Sequence, residues 1–195
     1  MVHHMNITLN NISKSFGNLQ VLNDLTLCFE EHKTSCIMGP SGCGKTTLLH
    51  ILLGLHNIDS GEINGLEDKR VAVVFQENRL FEQQDAFTNI RAVCKRPLSN
   101  ELLAAEFDKI GLTDYNGKPV AELSGGMKRR VAILRALMAD DSNLILMDEP
   151  FKGLDEALKL QVMQYVKEKT QGKTVIFVTH DKDESVALDA TLILL

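Results

Sequence analysis

Gly39-Pro40-Ser41-Gly42-Cys43-Gly44-Lys45-Thr46 matches the pattern G-x-x-x-x-G-K-[ST] at every fixed position. An apolar-leaning run, Ser35-Cys36-Ile37-Met38, precedes it, and Thr47-Leu48-Leu49-His50-Ile51-Leu52-Leu53 follows with helical character. This strand–loop–helix context separates a phosphate cradle from a Gly-rich turn, because a turn has no use for Lys-Thr after its last glycine. The glycines let successive N–H groups face inward on a polyphosphate, and the following helix adds the positive end of its dipole. Lys45 can reach the outer phosphates as a point charge, and the Thr46 hydroxyl can ligate Mg²⁺. Residues Gly39 to Thr47 are therefore expected to hold a nucleoside triphosphate.

Working outward, the chain of 195 residues, 44% of them hydrophobic, suffices for one domain with a real core. Its net charge of −5 argues against bulk electrostatic binding to nucleic acid. No apolar run approaches the length needed to cross a bilayer. Cys28, Cys36, Cys43 and Cys94 form no metal-like spacing, so reduced thiols in a cytoplasmic protein are the default. Met1-Val2-His3-His4 reads as a vector remnant ahead of a natural start at Met5.

Ile7 to Glu30 alternates in places, as half-buried antiparallel strands do. Ser35–Met38, Val71–Phe75, Leu144–Met147 and Thr174–Val178 are continuously apolar or β-branched, which fits parallel strands covered on both faces, and Thr191–Leu195 adds a fifth strand. Helical patterns lie between them: Glu101–Phe107 with a stop at Gly111, a stripe of Met127, Val131, Leu134 and Met138, and Glu156–Thr170 stopping at Gly172. One α/β core follows, with the mostly helical stretch from about Asn78 to Asp140 inserted in it.

Four segments then place chemistry at the carboxyl ends of the parallel strands, where open α/β sheets bind ligands. The phosphate loop follows Met38, Gln76 follows Val71–Phe75, Asp148 and Glu149 follow Leu144–Met147, and His180 follows Thr174–Val178. Asp148 is expected to hold Mg²⁺ opposite Thr46, and Glu149 to polarise the attacking water. Gln76 can contact the metal or that water, and His180 can donate to the γ-phosphate. Leu123-Ser124-Gly125-Gly126-Met127 is a Ser cap and two glycines opening a helix, hence a second anion site, to which Lys128, Arg129 and Arg130 add positive charge. Two phosphate cradles beside one mononucleotide core are simplest to explain if each chain's second cradle serves the other chain's nucleotide.

These motifs, in this order and over essentially the whole chain, resemble the ATP-binding subunit of an ABC transporter: the phosphate loop, the glutamine loop at Gln76, the signature Leu123–Met127, the strand Leu144–Asp148 with Glu149, the loop Phe151–Asp155 and the switch His180. The resemblance implies a P-loop NTPase core with a mostly parallel sheet. To this it adds an N-terminal antiparallel β part and an inserted helical signature subdomain at about 78–140, between core segments of about 1–77 and 141–195. It implies hydrolysis of ATP with Mg²⁺ by Glu149, assisted by His180, Gln76 and Lys45. It also implies a head-to-tail homodimer, or a heterodimer with a related subunit, in which Ser124, Gly125 and Gly126 contact the nucleotide held by the partner and Asp155 aligns the two sites. Phe16 matches the aromatic that stacks on adenine, against the plainer reading of a strand core residue. A transmembrane permease, a solute-binding protein and a peripheral place on the inner face of the cell membrane complete the implied system. The signature's form is similar to importers of nitrate, sulfonates and thiamine-related compounds. Two departures stand out: a short stretch between Thr47 and Gln76, with a trimmed arm around Gly61–Gly65, and an early stop after the last strand, where the family usually continues. The competing class is a soluble ABC-type module working on protein or nucleic-acid machinery. The chain has neither a long coiled-coil insertion nor a second cassette of the kinds such modules carry.

Overall fold

The computed structural model describes residues 5–115 and 117–195, so the terminal stretch Met1–His4 lies outside it. Two sheets form. Strands β1 (Ile7–Phe16), β2 (Leu19–Phe29) and β4 (Ser60–Asn64) make an antiparallel sheet in the order β2-β1-β4. Strands β3 (Thr34–Met38), β5 (Val71–Val74), β6 (Leu144–Asp148), β7 (Thr174–Val178) and β8 (Thr191–Leu194) make a parallel sheet in the order β5-β6-β7-β3-β8. The expected arm around Gly61–Gly65 is thus β4, bonded to β1.

The central strands are mostly apolar, with polar residues only near their ends, because both faces are covered. Ile37, Leu144, Leu146, Ile176 and Val178 join one buried cluster with helix α1 (Lys45–Leu52) and the antiparallel sheet. Cys36, Ile145, Met147, Val175 and Phe177 join a second cluster on the other face. Helices α2 (Ala86–Arg91), α3 (Asn100–Lys109) and α4 (Gly125–Leu137) follow β5 and contribute to that second cluster, and α5 (Glu156–Lys169) packs with them. Alternating apolar positions on adjacent β residues thus bury surface on both sides of one sheet, the main source of its stability. Strand β8 differs: it is an edge strand, with Leu192 and Leu194 exposed. Strand β5 ends one residue earlier than its apolar run, because Phe75 leaves the ladder to lie under Arg79, whose guanidinium carbon is 3.8 Å from the ring centre.

Helix starts follow side-chain capping. Asp85, Ser99, Ser124, Asp155 and Asp181 each accept a hydrogen bond from a backbone N–H in the first turn of α2, α3, α4, α5 and α6 (Lys182–Ala187). Register then fixes the functional rim. Ile37 pairs with Val178, Asp148 with Val178, and Val74 with Met147, so the carboxyl ends of β3, β5, β6 and β7 stop level with one another.

The inserted helices are tied to the core by a buried carboxylate. Glu106 of α3 accepts from Tyr165 of α5, from Lys109 at 3.0 Å and from Lys169 at 2.9 Å. Burial alone would raise its pKa, but the bonds from Lys169, Tyr165 and Lys109 outweigh it and hold the carboxyl at about 2. The unfolded glutamate titrates near 4.5, so this contribution is fully present above 4.5 and is lost as pH falls from there toward about 2. Glu106→Gln is expected to destabilise by about 1–3 kcal/mol at pH 7, a Tm lower by roughly 3–10 °C. The gap between variant and wild type should shrink between pH 7 and pH 3. A pH-independent gap in calorimetry would refute the ion-pair account.

Candidate functional site

A cavity of about 940 Å³ opens on the carboxyl rim of the parallel sheet. It is lined by Ser41, Gly42, Gly44, Lys45, Thr46 and Thr47 of the phosphate loop, by Gln76, by Asp148 and Glu149, and by His180. Four separate segments of sequence therefore meet at one hollow, as their placement at strand ends requires. Phe16 lines the same cavity and is 44% exposed, which excludes the strand-core reading. Its ring meets His56 edge-on at 5.3 Å.

The loop geometry is set by its glycines. Gly44, just before α1, has φ +98, and a Cβ there would lie 2.7 Å from the Leu22 side chain. Only glycine combines that backbone with that approach. Lys45 is buried, and its Nζ donates to the carbonyls of Gly39 at 2.9 Å and Pro40 at 2.8 Å. Cys43 Sγ is 3.8 Å from the same nitrogen. Gly39, Pro40 and Cys43 are not among the residues lining the cavity; the Gly39 and Pro40 carbonyls accept from Lys45 instead.

The acidic pair sits where it is needed. Asp148 is the last residue of β6, is buried, and accepts a 2.7 Å hydrogen bond from the Thr46 hydroxyl. Thr46, Asp148 and the Gln76 amide offer the hard oxygen donors that suit Mg²⁺, and a buried carboxylate beside a hydroxyl is the kind of donor pair such a cation holds together. Among the described residues no group of three or more His, Cys, Asp or Glu side chains could hold a metal ion. Glu149 has φ +47, a left-handed turn that residues with a side chain rarely adopt. That turn brings its Oε1 to 3.1 Å from Nε2 of His180. Burial raises the Glu149 pKa; His180 opposes that shift, and Glu184 and Asp148 add to it.

Ser124, Gly125, Gly126 and Asp155 do not line this cavity. Ser124 caps α4, and Gly126 packs beside the loop, where a Cβ would lie 3.6 Å from the Gly153 carbonyl. Gly153, Leu154 and Glu156 do line the cavity, so the start of α4 and Asp155 border its rim without facing into it. The expectation that Lys128, Arg129 and Arg130 all add positive charge to that anion site is corrected in part. Arg129 and Arg130 are both buried, with their guanidinium groups spent on main-chain carbonyls. Burial lowers the Arg129 pKa to about 10, with Asp148, Glu149 and Glu184 opposing, so it stays charged at neutral pH. A helix turns adjacent residues by about 100°, so three consecutive charges cannot share one environment.

Two further groups were not legible as site residues. Lys159 of α5 bonds Asp181 and, at 3.0 Å, Glu184, seating the segment that carries His180. Glu184 Oε2 is buried with no hydrogen-bond partner among the described residues. The one available signal was that Lys159 follows the cap Asp155 by a helical turn. Phe75 and Arg79 line a smaller hollow of about 400 Å³ with Thr46, His50 and Gln76, so Gln76 faces both cavities.

Comparison with known proteins agrees with this geometry. The spermidine/putrescine import ATP-binding protein PotA of Bacteroides thetaiotaomicron is 34% identical, over 97% of this chain and 44% of its own length. The Fe(3+) ions import ATP-binding protein FbpC of Brucella abortus is 35% identical, over 97% of this chain and 58% of its own. The sulfate/thiosulfate import ATP-binding protein CysA of Gloeobacter violaceus is 33% identical, over 98% and 60%. The chain thus spans about half the length of these curated relatives. The solved dimeric structure of MJ0796, a bacterial ABC transporter cassette, superimposes with a TM-score of 0.83 at 30% identity, covering 97% of this chain and 94% of that one. A post-hydrolysis state of the same cassette bound to ADP and Pi gives 0.81 at 29%, with the same coverage of both chains. The family profile described as ABC transporter matches residues 22–152, and on that match and these identities the chain belongs to the ABC transporter family.

Proposed function

We propose that this chain binds and hydrolyses ATP to power an ABC importer of a small solute. The observation that carries the reading is the Glu149 carboxylate, turned toward His180 on the rim that also holds Lys45 and Thr46. Lys45 and the loop N–H groups hold the phosphates. Phe16, exposed at the cavity wall, stacks on the base. Thr46, Asp148 and Gln76 hold Mg²⁺, which when bound neutralises charge on the phosphates. Glu149 orients the water and accepts its proton, with a pKa raised toward the working range. His180 donates to the γ-phosphate and keeps the carboxylate aimed.

The names of the relatives support an import role, and the dimeric cassette structures support a dimer. In our reading that dimer is a head-to-tail homodimer, and Ser124, Gly125, Gly126 and Asp155 serve the partner's nucleotide. A transmembrane permease then receives the motion, with the 78–140 region against it and the core of about 1–77 and 141–195 holding ATP. A solute-binding protein feeds the system, and the chain works at the cytoplasmic face of the membrane. Among the described residues no helix is long and apolar enough to cross a membrane. The test is affinity capture with tagged Glu149→Gln protein from detergent-solubilised native membranes in MgATP, read by mass spectrometry. A multi-spanning subunit is the expected recovery. Soluble partners alone, from protein that binds ATP, would replace the importer reading with a non-transport module.

A further inference from the structure

Arg129 occupies an unusual position. It lies on α4, five residues past Ser124, with its side chain buried. Its guanidinium nevertheless has acceptors for all of its nitrogens. Nε donates to the Pro150 carbonyl at 2.7 Å. Nη1 donates to the carbonyls of Phe75 at 2.5 Å and Gln76 at 3.3 Å, and to Asn78 Oδ1 at 3.3 Å. Nη2 donates to the carbonyls of Asp148 and Glu149, both at 2.7 Å. Five main-chain carbonyls therefore converge on one side chain, from two segments that are remote in sequence. One segment carries Gln76 and the other carries Asp148 and Glu149.

The two carbonyls bonded to Nη2 stand on either side of the Glu149 α-carbon, the residue held at φ +47. A side-chain-bearing residue keeps such a backbone only where its surroundings fix it. Bonds to both flanking peptide planes supply that fixing. The planes set the direction of the Glu149 side chain, and hence its approach to His180. The geometry points to Arg129 as a positioning residue for hydrolysis: its fork holds the Glu149 turn and the Gln76 loop in one register and ties both to the helix that opens with Ser124. This rests on the hydrolytic reading of Glu149 given above. A planar five-donor fork reaches both segments at once, whereas an ammonium is a single point that can hold only part of this set.

The test uses the full chain with Arg129→Gln and Arg129→Lys, each alone and with Glu149→Gln, measured for MgATP turnover, KM, nucleotide Kd and Tm. For Arg129→Gln, kcat is expected to fall by at least about 10-fold while KM and Kd move by less than about 3-fold. Arg129→Lys should recover part of the lost rate. In the Glu149→Gln background, adding Arg129→Gln should change the residual single-turnover rate by less than about 2-fold, since the group it aims is already gone. Amide exchange should quicken together at residues 75–78 and 148–151 in the Arg129 variants. Unchanged kcat in both Arg129 variants overturns the proposal, as does a full further loss in the Glu149→Gln background. Should the Gln variant fail to fold, the Lys variant carries the same readouts. Wild-type turnover in Glu149→Gln alone would instead overturn the hydrolytic reading, so the two failures are distinct.

Discussion

Glu149→Gln is expected to lower ATP turnover by about 10²–10⁴-fold while MgATP still binds, the range a positioned general base contributes. The amide keeps the size of the carboxylate and accepts from His180, so the cavity keeps its shape. What goes is the group that can take a proton from water. Steady-state turnover and a fluorescent-nucleotide titration together check this, and full activity would move the base elsewhere. The pH profile offers a second check on the same group. Burial raises the Glu149 pKa above its usual 4.5; His180 works against that, and Glu184 and Asp148 work with it. A base acts ionised, so kcat/KM should be present above the raised value and lost as pH falls through it. The acid limb therefore belongs above 4.5, and a limb at or below 4.5 would show that another group controls the rate.

Lys45→Ala is expected to weaken MgATP binding by about 100-fold, because two charge-assisted hydrogen bonds at about 1.5 kcal/mol each amount to roughly 3 kcal/mol. The same nitrogen holds the carbonyls of Gly39 and Pro40. The substitution thus removes the phosphate contact and also leaves two loop carbonyls without their donor. Isothermal titration measures the effect, and a Kd within about threefold of wild type would refute the assignment. Glu149→Gln and Lys45→Ala thus separate chemistry from binding on one rim.

The parts legible from residue types alone are those where chemistry leaves little choice. Gly44 must be glycine for its backbone, Lys45 and Thr46 for what they hold, and Asp148 and Glu149 cannot stand together at an apolar strand end without a purpose. The central parallel strands were legible because burial on both faces leaves polar residues only near their ends. Arg129 and Arg130 were not legible. A charged run gives no hint of which member turns inward, and the carbonyls that accept from Arg129 lie up to 54 residues away in sequence. Glu106, Lys159 and Glu184 were missed for the same reason: their partners are long-range, and a single charged residue on a helix reads as solvated until the packing is known. Phe16 was left between two readings by its strand, and its exposure removes the strand-core one.

The seat of His180 is one bond short. A buried polar atom without a partner costs about 1–3 kcal/mol, and Glu184 Oε2 is such an atom among the described residues. The Lys159 ammonium divides itself between Glu184 and Asp181, so it cannot satisfy either carboxylate fully. The free-energy gap between the seated segment and a displaced one is narrowed by that deficit. Strand β7 beside it is buried along its whole length and carries no such deficit. The imidazole facing Glu149 therefore rides on a segment whose hold on the sheet is weaker, by that one bond, than a fully satisfied carboxylate would give.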